Sequence, residues 1–443
     1  MLVNTHKQLF ALILLLSIWN SSTAEVWSLQ QCIDTAQFQN KNLQMSRNNI
    51  LLSEEKSKEA KAQLIPKVTA NADYKYFTNL PYQLLPLSVF GGPDGQYKEA
   101  QFGVPHNINA NLQLMMPLYN PQVYGAIQMT KLASELTELQ YRKTEEQIFF
   151  DISNLYYNTQ ILHHQLKFID SNLINAEKLL KNIQLLKEQL LAKGTDVNKV
   201  QLQVSQLQTQ KENINSKYLQ VLNALKFAMG ISIEEHVEIN PNIEYLNSEE
   251  YSSKTTLDVR ILKTKNQLLS TELNILNKSR FLPSLHFLAT YGTTGYGYNK
   301  KPNEFLNFYS IGFAAIQLSY PLFNGTVTLR KINQKKIELL NNNLQSNLVN
   351  EQNHMQIENA TLQRIVTQKS IATTLEQIQL SEKIYDQIIL QHRQGLAMLT
   401  DILIADNTLR EAQQNYLSSV IEYMKADLEL KKLTGNFITI YNK

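Results

Sequence analysis

The chain has 443 residues, a net charge of +3 and 18% charged residues. A chain of this length would ordinarily fold into two or three domains. Its small net charge excludes the strongly basic surface of a nucleic-acid-binding protein. The single cysteine, Cys32, excludes an internal disulfide, so packing or assembly must stabilise the fold. We expect Cys32 to be a small buried residue of the first helix.

Residues 1–24 have the order of a secretory signal peptide. His6 and Lys7 precede an apolar run from Leu9 to Trp19, and the small residues Ser22-Thr23-Ala24 follow as a cleavage site. This run is too short to span a bilayer, and no later apolar run reaches the roughly 18 residues of a membrane helix. If the exported protein crosses a membrane, it must therefore do so with strands.

The chain contains an internal duplication. The segment around Pro117 reads LQLMMPLYN, and the segment around Pro321 reads IQLSYPLFN. Three further pairs occur in the same order in both halves: Leu64-Ile65-Pro66 with Phe281-Leu282-Pro283, Thr195-Asp196-Val197 with Thr400-Asp401-Ile402, and Met229-Gly230 with Thr434-Gly435. We therefore expect a first repeat at 25–230, a linker at 231–253, a second repeat at 254–435 and a C-terminal tail at 436–443.

Each repeat is predicted to contain a helix, two strands, a very long helix, a turn and a returning helix. Pro66 and Pro283 end the first helices, and Pro117 and Pro321 mark the ends of the second strands. Strict alternation of apolar and polar residues predicts strand pairs at about 66–77 with 107–118 and 284–297 with 308–322. In the last strand Tyr309, Ile311 and Phe313 break this alternation, which a bulge would explain.

Alternating strands of this length are typical of an outer-membrane barrel, and also of a sheet that covers a soluble core. Polar-face residues such as Lys67 and Asp73, outward tyrosines and the export signal favour the barrel. Four strands cannot close a barrel, and open edges in hydrocarbon would leave backbone groups unsatisfied. The sequence therefore predicts that subunits share a barrel, and three subunits would give twelve strands. The segment 79–106 is long enough for a surface loop that covers or narrows a mouth.

The long helices and their turns form the rest of each repeat. Residues 122–191 contain no proline and predict a helix about 100 Å long, while the returning helices carry a coiled-coil seam. We expect Gly194 and Gly395 to supply the left-handed residue of the two turns, with Thr or Asp capping the next helix. Counted from the glycine to the Asp that follows it, the first turn is four residues shorter than the second. We call these turns the tips of the helices. The second tip, with Arg393 and Asp401, would carry most of any gating.

These features resemble the outer-membrane efflux protein family, the TolC-like channels. The resemblance covers nearly the whole mature chain and rests on the duplicated pairs above, on the opening Ser28-Leu29 to Ala36, and on the Gly395-Leu396 tip with Asp401. It implies a mostly α fold with a membrane β part. Long coiled-coil helices and four β-strands per subunit would form a shared 12-stranded barrel in the cell outer membrane and a twelve-helix periplasmic tunnel.

The resemblance also implies a function. Such a homotrimer would be the passive exit duct of a tripartite efflux pump, working with a periplasmic adaptor (membrane fusion) protein and an inner-membrane transporter of the RND, ABC or MFS type. The channel of a type I protein secretion system is an alternative within the family. A soluble periplasmic coiled-coil scaffold is an alternative of a different class. We expect contact with outer-membrane lipid and no nucleic acid.

By position, the resemblance implies adaptor-contacting tips and an acidic pore entrance. The tips would comprise Gly194, Thr195, Asp196, Arg393, Gly395 and Leu396. Asp401 would form the entrance ring, where three carboxylates would favour cations, although Ile404 stands where some family members have a second acid. A plain helix cap is the alternative role of Asp401. The adjacent His163 and His164 diverge on a helix, and we expect no catalytic, cofactor-binding or metal site.

Overall fold

The computed structural model describes residues 26–101, 103–243, 250–297 and 307–437. The predicted signal peptide at 1–24 lies outside the described residues, as do residues 244–249 of the predicted linker and 438–443 of the predicted tail. The chain divides into two compact units. Unit 1 comprises Met1–Asn49, Glu138–Ile261 and Ser346–Lys443, and unit 2 comprises Ile50–Thr137 and Leu262–Gln345.

Long helices and a small number of strands alternate along the described chain. The first part contains β1 (Val26–Trp27), α1 (Leu29–Gln39), α2 (Lys41–Ala62), β2 (Lys67–Tyr76), β3 (Tyr82–Pro86), β4 (Tyr97–Gln101), β5 (His106–Tyr119), α3 (Pro121–Glu188) and α4 (Gly194–Met229). The second part contains β6 (Glu238–Ile239), α5 (Leu257–Ser279), β7 (Ser284–Gly297), β8 (Asn307–Ser319), α6 (Val327–Arg393) and α7 (Leu399–Leu433). None of the described helices is both long and apolar enough to cross a membrane.

Unit 2 contains an antiparallel sheet with the strand order β2-β5-β7-β8. Its register places the predicted apolar residues on one face, since Leu112 pairs with Ala70 on one side and with Tyr291 on the other. Val68, Leu112 and Tyr291 are each more than half exposed. The sheet therefore has one apolar and one largely polar face, and β2 and β8 are its edges.

The bulge predicted in the last strand is wrong. The β7–β8 register runs without interruption from Ser284 to Tyr296, so Tyr309, Ile311 and Phe313 lie on the otherwise polar face. A register shift occurs instead between β5 and β7, between Pro117 and Tyr119. Proline has no amide hydrogen to donate to a ladder, which explains the irregularity there.

The segment 79–106, predicted as a loop, contains a second small sheet. Strands β3 and β4 pair in antiparallel register from Tyr82–Gln101 to Pro86–Tyr97. A short 3-10 helix, Leu87–Phe90, and the left-handed glycines Gly91 and Gly95 complete the hairpin. Its effect on a channel mouth stays a prediction.

Unit 1 has its core where α1 packs with parts of α3, α4 and α7. Cys32, Phe149 and Leu225 belong to this core and are at most 1% exposed. Ser28 begins α1 with a capping box, in which Ser28 Oγ accepts from the Gln31 amide at 3.2 Å. The predicted burial of Cys32 on the first helix is confirmed, and burial raises the pKa of its thiol to about 12.

The described parts of the predicted linker are held against the helices of unit 1. Residues 238–239 pair in parallel with Val26–Trp27. The Gln160 side-chain amide donates to the carbonyls of Asn240 and Asn242 at 2.8 Å each, and Tyr251 donates to Asp427 at 2.9 Å. The linker is therefore an anchored segment, and the division of the chain into two repeats stays a prediction.

Candidate functional site: the two helix–helix turns

Two turns in unit 1 join α3 to α4 and α6 to α7, where the adaptor-contacting tips are predicted. In the first turn Leu190 has φ 66°, and in the second Gly395 has φ 76°. In the first turn the amide of the next residue, Leu191, donates to the carbonyl of Leu186 at 2.8 Å. In the second, the amide of Leu396 donates to the carbonyl of Gln391 at 2.9 Å. Both helices thus end in a Schellman motif, in which a left-handed residue lets the chain satisfy the last carbonyls.

The predicted role of Gly194 is wrong. Gly194 does not have a positive φ and instead begins α4, while Leu190 adopts the left-handed conformation. Leu190 stands six residues before Asp196, as Gly395 stands six residues before Asp401. The prediction of a shorter first turn is therefore also wrong: the two turns are equally long and have the same hydrogen-bond pattern.

Asp196 and Asp401 cap the helices that follow the turns. Asp196 Oδ2 accepts from the Lys193 amide at 3.3 Å, and Asp401 Oδ2 accepts from the Met398 amide at 2.8 Å. Each carboxylate lies in the first helical turn, where the helix dipole favours a negative charge. The helix-cap role of Asp401 is therefore observed, and an acidic ring at a pore entrance remains a hypothesis.

The structure brings the two turns onto one apolar cluster. This cluster is buried and combines residues beside the first turn with residues beside the second: Leu179, Ile183 and Val200 with Leu399 and Ile402. The outermost side chains are not covered: Leu190, Leu191, Leu396 and Met398 are 92%, 73%, 75% and 73% exposed. Thr195 and Arg393 are exposed as well. The tips therefore consist of a buried core and an apolar outer surface.

A buried polar cluster between α4 and α7 was not predicted from the sequence. Asp406 is 4% exposed, forms an ion pair with Arg410 Nε at 2.9 Å and also contacts the Gln203 side-chain amide. Burial raises the pKa of Asp406, although Arg410 and Gln203 act in the opposite direction. In the sequence, only the four-residue spacing of Asp406 and Arg410 points to an ion pair, and this spacing is also that of an ordinary exposed pair on a helix. The sequence therefore does not show that the pair is buried.

Next to this cluster, α3, α4 and α7 enclose a cleft of about 600 Å³. Its lining is mainly polar and includes Asn172, Lys217, Arg410 and Gln413. Asn172 donates to Gln413 at 2.9 Å. Among the described residues no group of three or more His, Cys, Asp or Glu side chains could hold a metal ion. His163 and His164 are oriented almost at right angles, and His164 contacts the Pro241 carbonyl at 2.9 Å.

The predicted junction prolines lie in unit 2, at one end of its sheet. Pro66 and Pro283 stand between a helix and a strand, before β2 and β7. Pro117 lies inside β5 at the register shift, and Pro321 follows β8. Pro66, Pro283 and Pro321 thus lie in connections between helix and sheet, as their restricted backbone favours, whereas Pro117 lies two residues before the end of β5.

Comparisons with known proteins agree with this architecture. Residues 32–231 match the model of the outer membrane efflux protein family. No curated protein sequence matches the chain. The fold is similar to that of the outer membrane protein VceC from Vibrio cholerae, at 15% identity and a TM-score of 0.73 over 92% of this chain and 96% of that chain.

Two further solved structures have a similar fold. The CmeC outer membrane channel of Campylobacter jejuni is 13% identical, with a TM-score of 0.73 over 92% of this chain and 85% of that chain. The MtrE outer membrane channel of Neisseria gonorrhoeae, in its open state, is 14% identical, with a TM-score of 0.71 over 93% and 89%. The matched sequence pattern and the shared fold confirm the resemblance: residues 32–231 match the model of the outer membrane efflux protein family, and the chain has the fold of TolC-like outer-membrane channels.

Proposed function

We propose that three copies of this chain form the outer-membrane exit duct of a tripartite efflux pump. The duct conducts substrates passively, and the energy comes from an inner-membrane transporter linked through a periplasmic adaptor. The four-stranded sheet lies in the outer membrane as one third of a shared barrel, and the helices extend into the periplasm. The channel itself catalyses no reaction.

The open sheet of unit 2 is the observation that carries this proposal. In the described part of the chain, no strand pairs with the outer edge of β2 or β8. One face of the same sheet exposes large apolar side chains, including Val68, Leu112, Ile316 and Leu318. An apolar face suits hydrocarbon, but free edges there leave backbone groups unsatisfied. Edge-to-edge pairing between copies resolves both requirements, and three copies supply twelve strands, an even number within the range of known barrels.

Helix α6 also supports self-association. It exposes a row of apolar side chains at spacings of three, four and seven residues: Ile337, Leu340, Leu344, Leu348, Met355 and Leu362, each between 55% and 60% exposed. Such a row is the seam of a helix that packs against another helix. In the described chain these side chains remain uncovered, and a second copy is the partner that a homotrimer provides.

The exposed apolar tips are the surface that we assign to the adaptor. Leu191 and Leu396 occupy equivalent positions in the two turns and are each about three-quarters exposed. Leu191→Ser and Leu396→Ser remove apolar surface without touching the left-handed residues or the capping aspartates. We expect the double variant to form trimers at the normal yield and to lose export.

Leu202→Ser is the matched control, since Leu202 is an exposed leucine on α4 outside the tips. This control should export normally. Normal export by the Leu191 and Leu396 double variant would remove the adaptor assignment.

Membrane fractionation and planar-bilayer recording test the channel. The full chain should be recovered in the outer membrane, require detergent for release, migrate as a trimer and conduct ions. Recovery in the soluble periplasmic fraction without detergent would instead support the coiled-coil scaffold. Loss of small-molecule export on deletion of the gene, with protein secretion intact, distinguishes an efflux pump from a type I secretion system.

A further inference from the structure

Five exposed cations surround the helix-side end of the unit 2 sheet. The register shows that this end is shared by all four strands, because Lys67 pairs with Met115 and Ser284 pairs with Ser319. We call the five cations the junction collar: Lys61, Lys278, Arg280, Arg330 and Lys331. All five are exposed, and each lies in a connection between helix and sheet or within about two helical turns of one.

The collar contains no negative charge. The sequence has no Asp or Glu in residues 60–72, 105–134, 273–297 and 307–337, the stretches that pass this end of the sheet. Among the described residues, no carboxylate forms an ion pair with any collar cation. Immediately beyond the collar the pattern changes, since Lys335 pairs with Glu272 at 3.1 Å and with Glu338 at 2.8 Å. The unpaired positive charge is therefore confined to the junctions.

Helix electrostatics accounts for only part of the collar. Lys61 and Lys278 lie in the last turns of α2 and α5, where a cation is favoured by the helix dipole. Arg330 and Lys331 lie close to the start of α6, where the same dipole disfavours a cation, and the first turn of α6 contains no acid to offset them. Their charge is therefore not offset within that turn and is available to an external negative partner.

Large apolar side chains accompany the cations. Phe281 and Tyr320 are 63% and 51% exposed, and Leu322 and Phe323 in the connection after β8 are 89% and 84% exposed. These four residues and Arg280 line a groove of about 290 Å³, and the Arg280 guanidinium stacks over the Phe281 ring at 5.3 Å. The groove is lined by Tyr320, two residues beyond Leu318 of the apolar sheet face, so Arg280 presents its positive charge beside apolar surface.

We propose that the junction collar binds the phosphate groups of anionic phospholipids in the membrane leaflet on the helix side of the sheet. The lipid tails cover the apolar sheet face and the groove, and the collar holds the headgroups. Charge complementarity and continuity with the apolar face favour a lipid over a soluble anion, because a soluble phosphate would use only the cations. This inference rests on the proposed membrane position of the sheet.

The test compares lipid binding by variants of the full chain purified as the detergent-solubilised oligomer. The collar variant combines Lys278→Gln, Arg280→Gln, Arg330→Gln and Lys331→Gln. The control variant also loses four exposed charges but outside the collar, through Lys178→Gln, Lys181→Gln, Lys383→Gln and Lys425→Gln. Dioleoyl phosphatidylglycerol and dioleoyl phosphatidylcholine are the probes, and native mass spectrometry counts the lipids that are retained.

The wild type should retain phosphatidylglycerol in preference to phosphatidylcholine, and the preference should weaken as salt is raised. One Lys or Arg near an anionic surface contributes about a fivefold change in affinity, so the collar variant should lose at least about tenfold. The control variant should resemble the wild type. A charge-preserving variant, Lys278→Arg with Arg280→Lys, Arg330→Lys and Lys331→Arg, should keep the preference.

Three outcomes would overturn the inference: equal loss in the collar and control variants, no loss in the collar variant, or dissociation of the collar variant into monomers with lipid preference intact. The last outcome would assign the surface to a neighbouring copy. Bilayer recording on the same samples separates this inference from the proposed function. A wild type that conducts but does not prefer phosphatidylglycerol overturns the lipid site alone, whereas a wild type that never conducts overturns the channel.

Discussion

The left-handed conformation of Leu190 leads to a quantitative prediction about the first tip. A non-glycine residue in this conformation costs roughly 1–2 kcal/mol, and Leu190, at 92% exposed, recovers little of it through packing. Leu190→Gly removes that cost but loses more backbone entropy on folding, roughly 0.5–1 kcal/mol. We expect the first turn to gain about 1 kcal/mol from the substitution.

The reciprocal change tests the second turn. A side chain at Gly395 would meet no neighbouring atom within 4 Å, so Gly395→Ala probes the backbone conformation alone. We expect this variant to lose about 1 kcal/mol. Gly194→Ala is the control: its new methyl group would approach no closer than 3.9 Å, to Lys187, and Gly194 lies in a helix where alanine is favoured.

Hydrogen exchange measured by mass spectrometry on peptides that cover 185–200 and 390–405 reports the local opening of each turn. A change of 1 kcal/mol corresponds to about a fivefold change in exchange rate. Exchange at the first turn should slow in Leu190→Gly, and exchange at the second should accelerate in Gly395→Ala. Faster exchange in Gly194→Ala, with no effect of Leu190→Gly, would refute the assignment of Leu190 and restore Gly194 as the turn residue.

Three further predictions concern single side chains. If the Asp401 carboxylates form an entrance ring, Asp401→Asn should weaken cation selectivity or divalent-cation block in a planar bilayer. Asp196→Asn, which loses an equivalent helix cap, should not have this effect. Equal behaviour of the two variants would leave Asp401 as a helix cap only. Burial raises the pKa of Glu146 to about 7, whereas the unfolded chain releases this proton near the ordinary pKa of 4.5. The stability of the folded protein should therefore fall as pH rises from about 4.5 to 7. In thermal melting, the gain in stability of Glu146→Gln over the wild type should grow through this window and stay constant above it. Cys32 is fully buried with a pKa raised to about 12, so iodoacetamide at pH 8 should label it only after denaturation, and rapid labelling of the folded protein would contradict the packing of α1.

The strands could be predicted from the sequence because their determinants are local. Alternation along β2 and β5 and the junction prolines Pro66 and Pro283 required no tertiary information. The Tyr82–Gln101 hairpin was missed because its two strands have five residues each and end or begin beside prolines and glycines, which favour a loop interpretation. Nothing in either short strand shows that it has a partner.

The turns and the buried cluster could not be predicted in the same way. Left-handed residues are usually glycines, so the nearest glycine, Gly194, was the natural choice, whereas the end of α3 and its Schellman bonds place Leu190 there. Asp406 has the spacing to Arg410 of a solvent-exposed pair, and only the packing of α4 against α7 through Gln203 shows that it is buried. In both cases tertiary packing outweighs local preference.

The corrected turns also reverse the expected asymmetry between the tips. A longer second turn with Arg393 and Asp401 would have made that tip the moving one, but the two turns have equal length and equivalent caps. Their difference lies in the residue with positive φ. Gly395 occupies its conformation without a side-chain penalty, whereas Leu190 stores roughly 1–2 kcal/mol there. Because that stored energy is released when the turn opens, the first turn should open more readily than the second, and any gate built from these tips would begin to move at Leu190.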